Sequence, residues 1–237
     1  MNRPDGRKPN ELRPVRFTLG AQEYAEGSVL IETGKTQVMC AISIEKGVPK
    51  FLRGTGKGRV TAEYAMLPRS TLTRTPRETR TKGRTAEIQR LIGRSLRAAV
   101  DLKALGEQTL SVDCDVLQAD GGTRTASITG AYVALRLATQ KLLEQQVLTN
   151  NPLTCALAST SVGLVNGQVV LDLNYEEDRQ ADADFNIVMT DQGKFVEVQG
   201  TAEYGTFSKD TLDLVLATAE SGIRQLFEFQ ESVLVPS

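Results

Sequence analysis

The stretch Gln118-Ala-Asp-Gly-Gly-Thr-Arg-Thr-Ala-Ser-Ile-Thr-Gly-Ala131 lies between two segments with different hydrophobic periodicities. Upstream, residues 109–118 alternate between apolar and polar side chains, which predicts a half-buried β-strand. Downstream, apolar residues from Ile128 to Leu143 recur at helical spacing. The four residues Gly121-Gly122-Thr123-Arg124 therefore end a strand and begin a helix.

This turn has features of an anion site. Two glycines allow a tight turn with exposed backbone N–H groups, and a helix N-terminus favours negative charge. Arg124 adds a bidentate partner for phosphate, and Thr123 adds a hydroxyl. Gly122, Thr123 and Arg124 are thus candidate phosphate-binding residues. The alternative interpretation is a structural Gly-Gly turn with a threonine N-cap, and the turn by itself does not decide between the two.

Composition excludes several kinds of chemistry. The chain has 237 residues, 24% of them charged, which is typical of a globular protein with a substantial core. Its net charge is −1, so any binding of nucleic acid must come from local clusters of basic residues. The sequence contains no histidine, which excludes Ser-His-Asp and Cys-His nucleophilic triads and histidine metal sites.

The sequence suggests a reduced, cytoplasmic protein. No apolar run approaches the ~20 residues that span a bilayer, and no hydrophobic segment follows the first charged residues, as a secretory signal would require. Three widely spaced cysteines are expected to be reduced thiols. Residues 1–13 are polar and are predicted to form a frayed tail.

The rest of the chain predicts interleaved strands and helices. A Gly34-Lys35-Thr36 sequence between two strand-like segments lacks the upstream glycine and the following helix of a nucleotide-binding P-loop, and we reject that interpretation. Further segments are predicted as strands (59–67, 153–164, 168–175, 185–189, 194–200), helices (85–100 and after Ser208) and an exposed loop (45–58). The expected fold class is α/β of the α+β type. Mixed β-sheets and helices would pack in two layers as a single domain, residues 1–237.

The segment from Arg69 to Arg84 is strongly basic, with one acidic residue, Glu78. Arginine binds phosphates in a bidentate manner and stacks on bases, so single-stranded RNA is a natural partner. The candidate RNA-binding residues are Arg69, Arg74, Arg77 and Arg80. A solvated loop and a subunit contact are the alternatives.

Arg84 is a further phosphate-binding candidate. Gly83-Arg84-Thr85 leads directly into a helix, as Gly122-Thr123-Arg124 does. If the two turns converge, two guanidinium groups can bind one phosphate.

Acidic residues are concentrated near the end of one predicted strand. A solvated acidic turn would explain them, but closely spaced like charges repel and a divalent cation relieves that repulsion. Mg²⁺ prefers one or two carboxylates together with water and substrate oxygens. The cluster consists of Asp172, Glu176, Glu177, Asp178, Asp182 and Asp184.

Several long motifs, in order along almost the whole chain, closely resemble bacterial ribonuclease PH, of the exosome and polynucleotide phosphorylase superfamily. They are residues 26–31, 58–71, 83–90, 113–130 and 197–203. The resemblance implies a ribonuclease-PH-like domain and a phosphorolytic 3′-to-5′ exoribonuclease. Such an enzyme uses inorganic phosphate as co-substrate to trim tRNA precursors and other RNA 3′ ends, releases nucleoside diphosphates, and adds nucleotides in the reverse direction.

The resemblance also implies site residues and an assembly. Phosphate would bind at Arg84 and at residues 122–124, while Asp178 and Asp184 match the spacing of the family's catalytic and metal-binding aspartates. Mg²⁺ is the expected metal, with Mn²⁺ as the alternative. Asn186 stands where polynucleotide phosphorylase has a lysine. The family forms homohexamers, as trimers of dimers, and its arginine loop binds tRNA. The competing hypothesis is a catalytically silent RNA-binding subunit of an exosome-like ring.

Overall fold

A computed structural model describes residues 3–77 and 83–234. Within these ranges lie nine β-strands and five α-helices. The strands are β1 (Val15–Leu19), β2 (Gly27–Thr33), β3 (Thr36–Lys46), β4 (Arg59–Met66), β5 (Gln108–Gln118), β6 (Leu157–Val165), β7 (Gln168–Leu171), β8 (Ala183–Thr190) and β9 (Phe195–Ala202). The helices are α1 (Gly83–Ala98), α2 (Leu102–Leu105), α3 (Thr123–Glu144), α4 (Tyr175–Gln180) and α5 (Lys209–Leu234).

The first sheet has the strand order β1-β2-β3-β5-β4 and is antiparallel except that β4 runs parallel to β5. The alternation in β5 buries Leu110, Val112, Cys114 and Val116 on one face, which confirms the strand predicted there. Cys40 of β3 lies directly opposite Cys114, and both are buried free thiols.

The second sheet is wholly antiparallel and has the order β7-β6-β8-β9. Asn166 and Gly167 connect β6 to β7 with φ values of 51° and 75°. Positive φ at both central residues suits the right-handed twist of a two-residue hairpin. The two hairpins predicted in this half of the chain are confirmed.

Helix α3 packs between the sheets, on β2 and β3 of the first and on β6 of the second. Every residue from Thr125 to Leu135 is buried, as expected for a helix covered on several sides. Helix α1 covers β4, and α5 covers β6 and β7. The predicted fold class is confirmed, whereas the single domain of residues 1–237 stays a prediction. No helix in the described ranges has both the length and the apolarity to cross a bilayer.

The acidic segment forms a helix that the periodicity did not predict. Strand β7 ends at Leu171 rather than near Tyr175, and α4 follows. Asn174 and Glu177 form a reciprocal capping box, each accepting a hydrogen bond from the other's backbone N–H. The Asn-x-x-Glu spacing is a readable helix-start signal. Strand β1 and helix α2 were also not predicted.

The prediction of a frayed N-terminal tail is wrong for its described part, residues 3–13. Arg3 and Arg13 are each 3% exposed. Arg3 Nε donates to Glu177 Oε1 at 2.7 Å, and Arg13 Nη2 donates to Asp172 Oδ1 at 2.6 Å. That prediction was based on the polarity of the segment. Charged residues can nevertheless be buried when opposite charges elsewhere in the chain pair with them.

The close approach of α3 to β2 yields a stability test. A Cβ added at Gly130 would lie 2.6 Å from Ile31 Cγ2 and 3.0 Å from Cys40 Sγ. We expect Gly130→Ala to lower the free energy of unfolding by about 1–3 kcal/mol, because overpacking outweighs the better helix propensity of alanine. Urea unfolding measures the change. Gln140→Ala, on the exposed part of α3, should stay within about 0.5 kcal/mol, and an equal loss in both variants would contradict this explanation.

Candidate active site

The N-terminus of α3 is the centre of the candidate site. Gly122 is its N-cap, with φ 65° and ψ 26° in the left-handed region, and no side chain in the described ranges caps the helix there. The threonine N-cap interpretation is therefore wrong. Thr125 Oγ1 instead donates backward to the Gly122 carbonyl at 3.0 Å. The first amides of a long helix are thus left for an anion, in a turn that glycine adopts without steric cost.

Tyr64 of β4 contacts one arginine turn and feels the charge of both arginines. Its hydroxyl lies 2.9 Å from Thr123 Oγ1, and its ring is buried. Burial raises the pKa of Tyr64, and the hydrogen bond with Thr123 and the positive charges of Arg84 and Arg124 oppose that rise. Both arginines therefore act on the same buried hydroxyl group, which supports the predicted convergence of the starts of α1 and α3.

A second contact links the same helices through β9. Arg124 Nη1 donates to Gln199 Oε1 at 3.4 Å, and Gln199 Nε2 donates to Glu87 Oε1 at 2.7 Å. Glu87 lies one turn after Arg84 on α1. The Gln199 amide thus connects the arginine of α3 to the helix that carries Arg84.

Asp178 of α4 and Asp184 of β8 lie within electrostatic reach of these arginines. Desolvation by the surrounding protein raises the pKa of Asp178, and repulsion from Asp184 adds to it. The pKa of Asp184 is also raised, first by burial and then by Glu203. Arg124 and Arg84 oppose both shifts. The structure therefore places two carboxylates and two guanidinium groups in one region.

The donor set suits a hard divalent cation. Within residues 3–77 and 83–234, no group of three acidic, cysteine or histidine side chains is arranged to hold a metal. Two mutually repelling carboxylates do match the one or two that Mg²⁺ takes when substrate oxygens complete its shell. Asp172 and Glu177 are not available for this purpose, because buried arginines pair with them.

The predicted RNA-binding arginines have different outcomes. Arg69, Arg74 and Arg77 are exposed on an irregular segment after β4. Arg69 Nη1 donates to the Leu72 carbonyl at 2.6 Å. Arg80 lies outside the described residues.

Sequence reasoning missed three residues of this region. Tyr64, Gln199 and Arg13 each lie far along the chain from the residues that they contact. A signal existed for Tyr64, because alternation in β4 places it on the inward face with Val60 and Ala62. Gln199 lies within the motif 197–203 that carries the family resemblance, but neither its local pattern nor that of Arg13 indicated its contacts.

Comparisons with known proteins show which family the chain is similar to. Family models described as "3′ exoribonuclease family, domain 1" and "domain 2" match residues 11–140 and 155–222. A protein called Ribonuclease PH from Dehalococcoides mccartyi (strain CBDB1) is 58% identical, over 100% of this chain and 99% of its own. The Ribonuclease PH of Solibacter usitatus (strain Ellin6076) is 57% identical, over 98% of this chain and 99% of its own.

Two solved structures have a similar fold. Rice (Oryza sativa) Rrp46 superposes with a TM-score of 0.82 at 21% identity, covering 98% of this chain and 99% of its own, and shows the fold alone. An Archaeoglobus fulgidus exosome chain also has a TM-score of 0.82, at 25% identity, covering 96% of this chain and 92% of its own. That exosome structure contains RNA bound to its active site.

The raised pKa of Asp184 predicts a pH-dependent gain in stability on its neutralisation. The Asp184 carboxyl group binds its proton more tightly in the folded state than in the unfolded state, in which its pKa is the ordinary 3.8. The ionised carboxylate therefore has no effect on the free energy of unfolding below about pH 3.8. Above the raised pKa of the folded state, it lowers that free energy by its full amount. We expect Asp184→Asn to unfold at a higher urea concentration than the parent at pH 7, with the difference shrinking as the pH falls toward 4.

Asp213→Asn provides the matched control, because Asp213 is exposed on α5 and pairs there with Lys209. Its unfolding midpoint should stay close to that of the parent protein. A midpoint for Asp184→Asn at or below the parent's at pH 7 would contradict the electrostatic description of the carboxylate pair.

Proposed function

The chain belongs to the ribonuclease PH group of the 3′ exoribonuclease family, and from that premise we propose that Arg84, Arg124 and the Gly122–Thr123 turn bind inorganic phosphate for attack on the RNA 3′ end. The reaction is the phosphate-dependent, 3′-to-5′ trimming of tRNA precursors, with release of nucleoside diphosphates. The observation that carries the proposal is the uncapped N-terminus of α3 with two arginines beside it.

Phosphate suits this site for three physical reasons. The first-turn amides of α3 are donors that would otherwise need water, and the helix dipole favours an anion there. Two guanidinium groups offer paired donors that match phosphate oxygens. Tyr64 and Gln199 hold Thr123 and Arg124 in place, so less reorganisation is needed when the anion binds.

In the proposed reaction, an oxygen of inorganic phosphate forms a bond to the phosphorus of the last phosphodiester in the RNA. The bond from that phosphorus to the 3′-oxygen of the preceding nucleotide breaks, so the terminal nucleotide leaves as a nucleoside diphosphate. Arg84 and Arg124 orient the attacking phosphate and balance the charge that develops on its oxygens. The departing 3′-oxygen takes its proton from Asp184, whose pKa is raised, or from a water molecule in the site when Asp184 serves as an ionised metal ligand.

Asp178 and Asp184 are the residues that would hold Mg²⁺, with Mn²⁺ as the alternative. A bound divalent cation would neutralise negative charge on the scissile phosphate. The two aspartates would then also lose the mutual repulsion that raises the pKa of Asp178. Asn186 is buried on β8 and provides a neutral amide at the position where polynucleotide phosphorylase has a lysine.

We further assign the exposed Arg69, Arg74 and Arg77, together with Arg80, to contacts with the tRNA backbone. Exposed arginine side chains can bind the phosphates of a long polyanion that approaches from solvent. The proposed assembly is a homohexamer built as a trimer of dimers, acting in the cytoplasm on tRNA precursors, rRNA and other RNA 3′ ends.

A catalytically silent RNA-binding subunit is the second candidate function. Such a subunit has no need for an anion site or for carboxylates with raised pKa values. Arg84, Arg124, Asp178 and Asp184 are all present and lie in one region. Their joint placement favours the enzyme.

Product analysis tests the proposed function. A tRNA with a short 3′ extension is incubated with the protein and Mg²⁺, with and without inorganic phosphate. We expect nucleoside diphosphates to form only when phosphate is present. Monophosphates formed without phosphate would mean hydrolysis and would overturn the mechanism, and RNA binding without any shortening would support the silent subunit.

Loss of one phosphate arginine should separate catalysis from RNA binding. We expect Arg124→Ala to lower phosphorolysis by about 10²–10³-fold or more, because a transition-state contact is removed. The dissociation constant for tRNA should remain close to that of the parent protein. Arg90→Ala, which removes an exposed charge from α1, is the control and should retain phosphorolysis. An equal loss of binding and activity in Arg124→Ala would refute the division of roles.

A further inference from the structure

Arg13 makes an extensive set of buried contacts outside the proposed catalytic residues. It precedes β1, is 3% exposed, and pairs with Asp172, which is 5% exposed. The Asp172 carboxylate accepts hydrogen bonds from the Arg13 backbone N–H at 2.8 Å, from Nε at 3.0 Å and from Nη2 at 2.6 Å. This pairing neutralises the guanidinium charge inside the protein, so Arg13 is not a further anion-binding group.

The remaining donors of Arg13 reach the turn before α3. Nη1 donates to the Asp120 carbonyl at 2.6 Å, and both Nη atoms lie within 3.5 Å of the Gly121 carbonyl. Thr36 Oγ1 donates to the same Gly121 carbonyl at 2.7 Å and accepts from the Asp120 N–H at 2.9 Å. A Cβ at Gly122 would lie 2.9 Å from Arg13 Nη2, so the turn packs directly on the guanidinium.

These contacts orient the amides of the turn. In a trans peptide the C=O and the following N–H point in opposite directions. Because Arg13 and Thr36 hold the Asp120 and Gly121 carbonyls, the N–H groups of Gly121 and Gly122 point away from Arg13. The carbonyl contacts thus set the direction in which the backbone donors of the turn face.

Asp172 is itself fixed from several sides. Its backbone has φ 53°, an uncommon conformation for aspartate. Its N–H donates to the Ser161 carbonyl of β6 at 2.7 Å, while its own carbonyl accepts from Arg3 Nη2 at 3.0 Å and from Arg7 Nη2 at 3.1 Å. Asp172 therefore joins the N-terminal segment to the second sheet.

We propose that Arg13 is a positioning residue for the phosphate site: it ties the Asp120–Gly122 turn, through Asp172, to the sheet that carries Asp184. The inference rests on the proposed function, because the turn must be the phosphate site. Arg13 does not touch the reacting atoms. It holds the backbone donors in one orientation relative to the carboxylates on the other side of the site.

Arg13→Lys is the first test. Lysine keeps a positive charge beside Asp172, but a single ammonium cannot replace the guanidinium fork that holds both the carboxylate and the two carbonyls. We expect the KM for inorganic phosphate to rise about 10- to 100-fold, as for misplacement of a catalytic contact by roughly 1 Å. The kcat at saturating phosphate and the dissociation constant for tRNA should change by less than about threefold, because losing binding that is equal in the ground and transition states raises KM without lowering kcat.

The double variant Arg13→Gln/Asp172→Asn separates positioning from folding. It removes both charges together, so neither is left buried without its partner. We expect a thermal midpoint closer to the parent's than that of Arg13→Gln alone, yet a KM for phosphate that stays raised. Arg16→Lys is the matched control: Arg16 is only three residues away, but its side chain is 76% exposed, and its KM should be unchanged.

The outcomes are distinguishable from failure of the proposed function. If the parent protein releases no nucleoside diphosphate in the presence of phosphate, the proposed function itself is wrong and the inference falls with it. If the parent is phosphorolytic and Arg13→Lys keeps the parental KM for phosphate, only the positioning role is overturned. A fall in kcat and tRNA binding together with stability, at unchanged KM, would also overturn it in favour of a structural role.

Discussion

Burial of α3 between the two sheets is the constraint on which the candidate site depends. All residues from Thr125 to Leu135 are buried, and Gly130 packs directly on Ile31 and Cys40. A helix packed in this way cannot slide or rotate without losing contacts along its whole length. Its N-terminus is therefore fixed in space, and the amides after Gly122 can be offered to an anion without local capping by a side chain.

The acidic segment separates into two groups with different roles. Glu177 and Asp172 pair with buried arginines, and although burial alone would raise the pKa of Asp172, the ion pair and hydrogen bonds with Arg13 lower it. Asp178 and Asp184 instead retain raised pKa values, although the positive charges of Arg84 and Arg124 oppose those shifts. Glu177 and Asp178 are adjacent in sequence, yet Glu177 is buried against Arg3, whereas Asp178 is exposed and remains a candidate for the site.

Local patterns predicted much of the architecture. Alternation identified β5, turn residues identified the hairpin at Asn166 and Gly167, and helical spacing identified α3 and α5. The patterns failed where tertiary contacts determine conformation. Strand β1 has five residues and α4 has six, which is too few to show a period. Strand β1 is stabilised by pairing with β2, and α4 by its capping box and by Arg3.

The sequence by itself determined the fold class, the strand-turn-helix at Gly121–Arg124 and, through its motifs, the family and the candidate phosphate and metal residues. Only the tertiary structure decided that Arg84 and Arg124 approach the same tyrosine, and that the polar N-terminal segment is buried against Asp172 and Glu177. The physical reason is the distance along the chain over which each interaction acts. Periodicity and turn chemistry act over a few residues, whereas the pairing of Arg13 with Asp172 joins side chains 159 positions apart, one before β1 of the first sheet and one after β7 of the second.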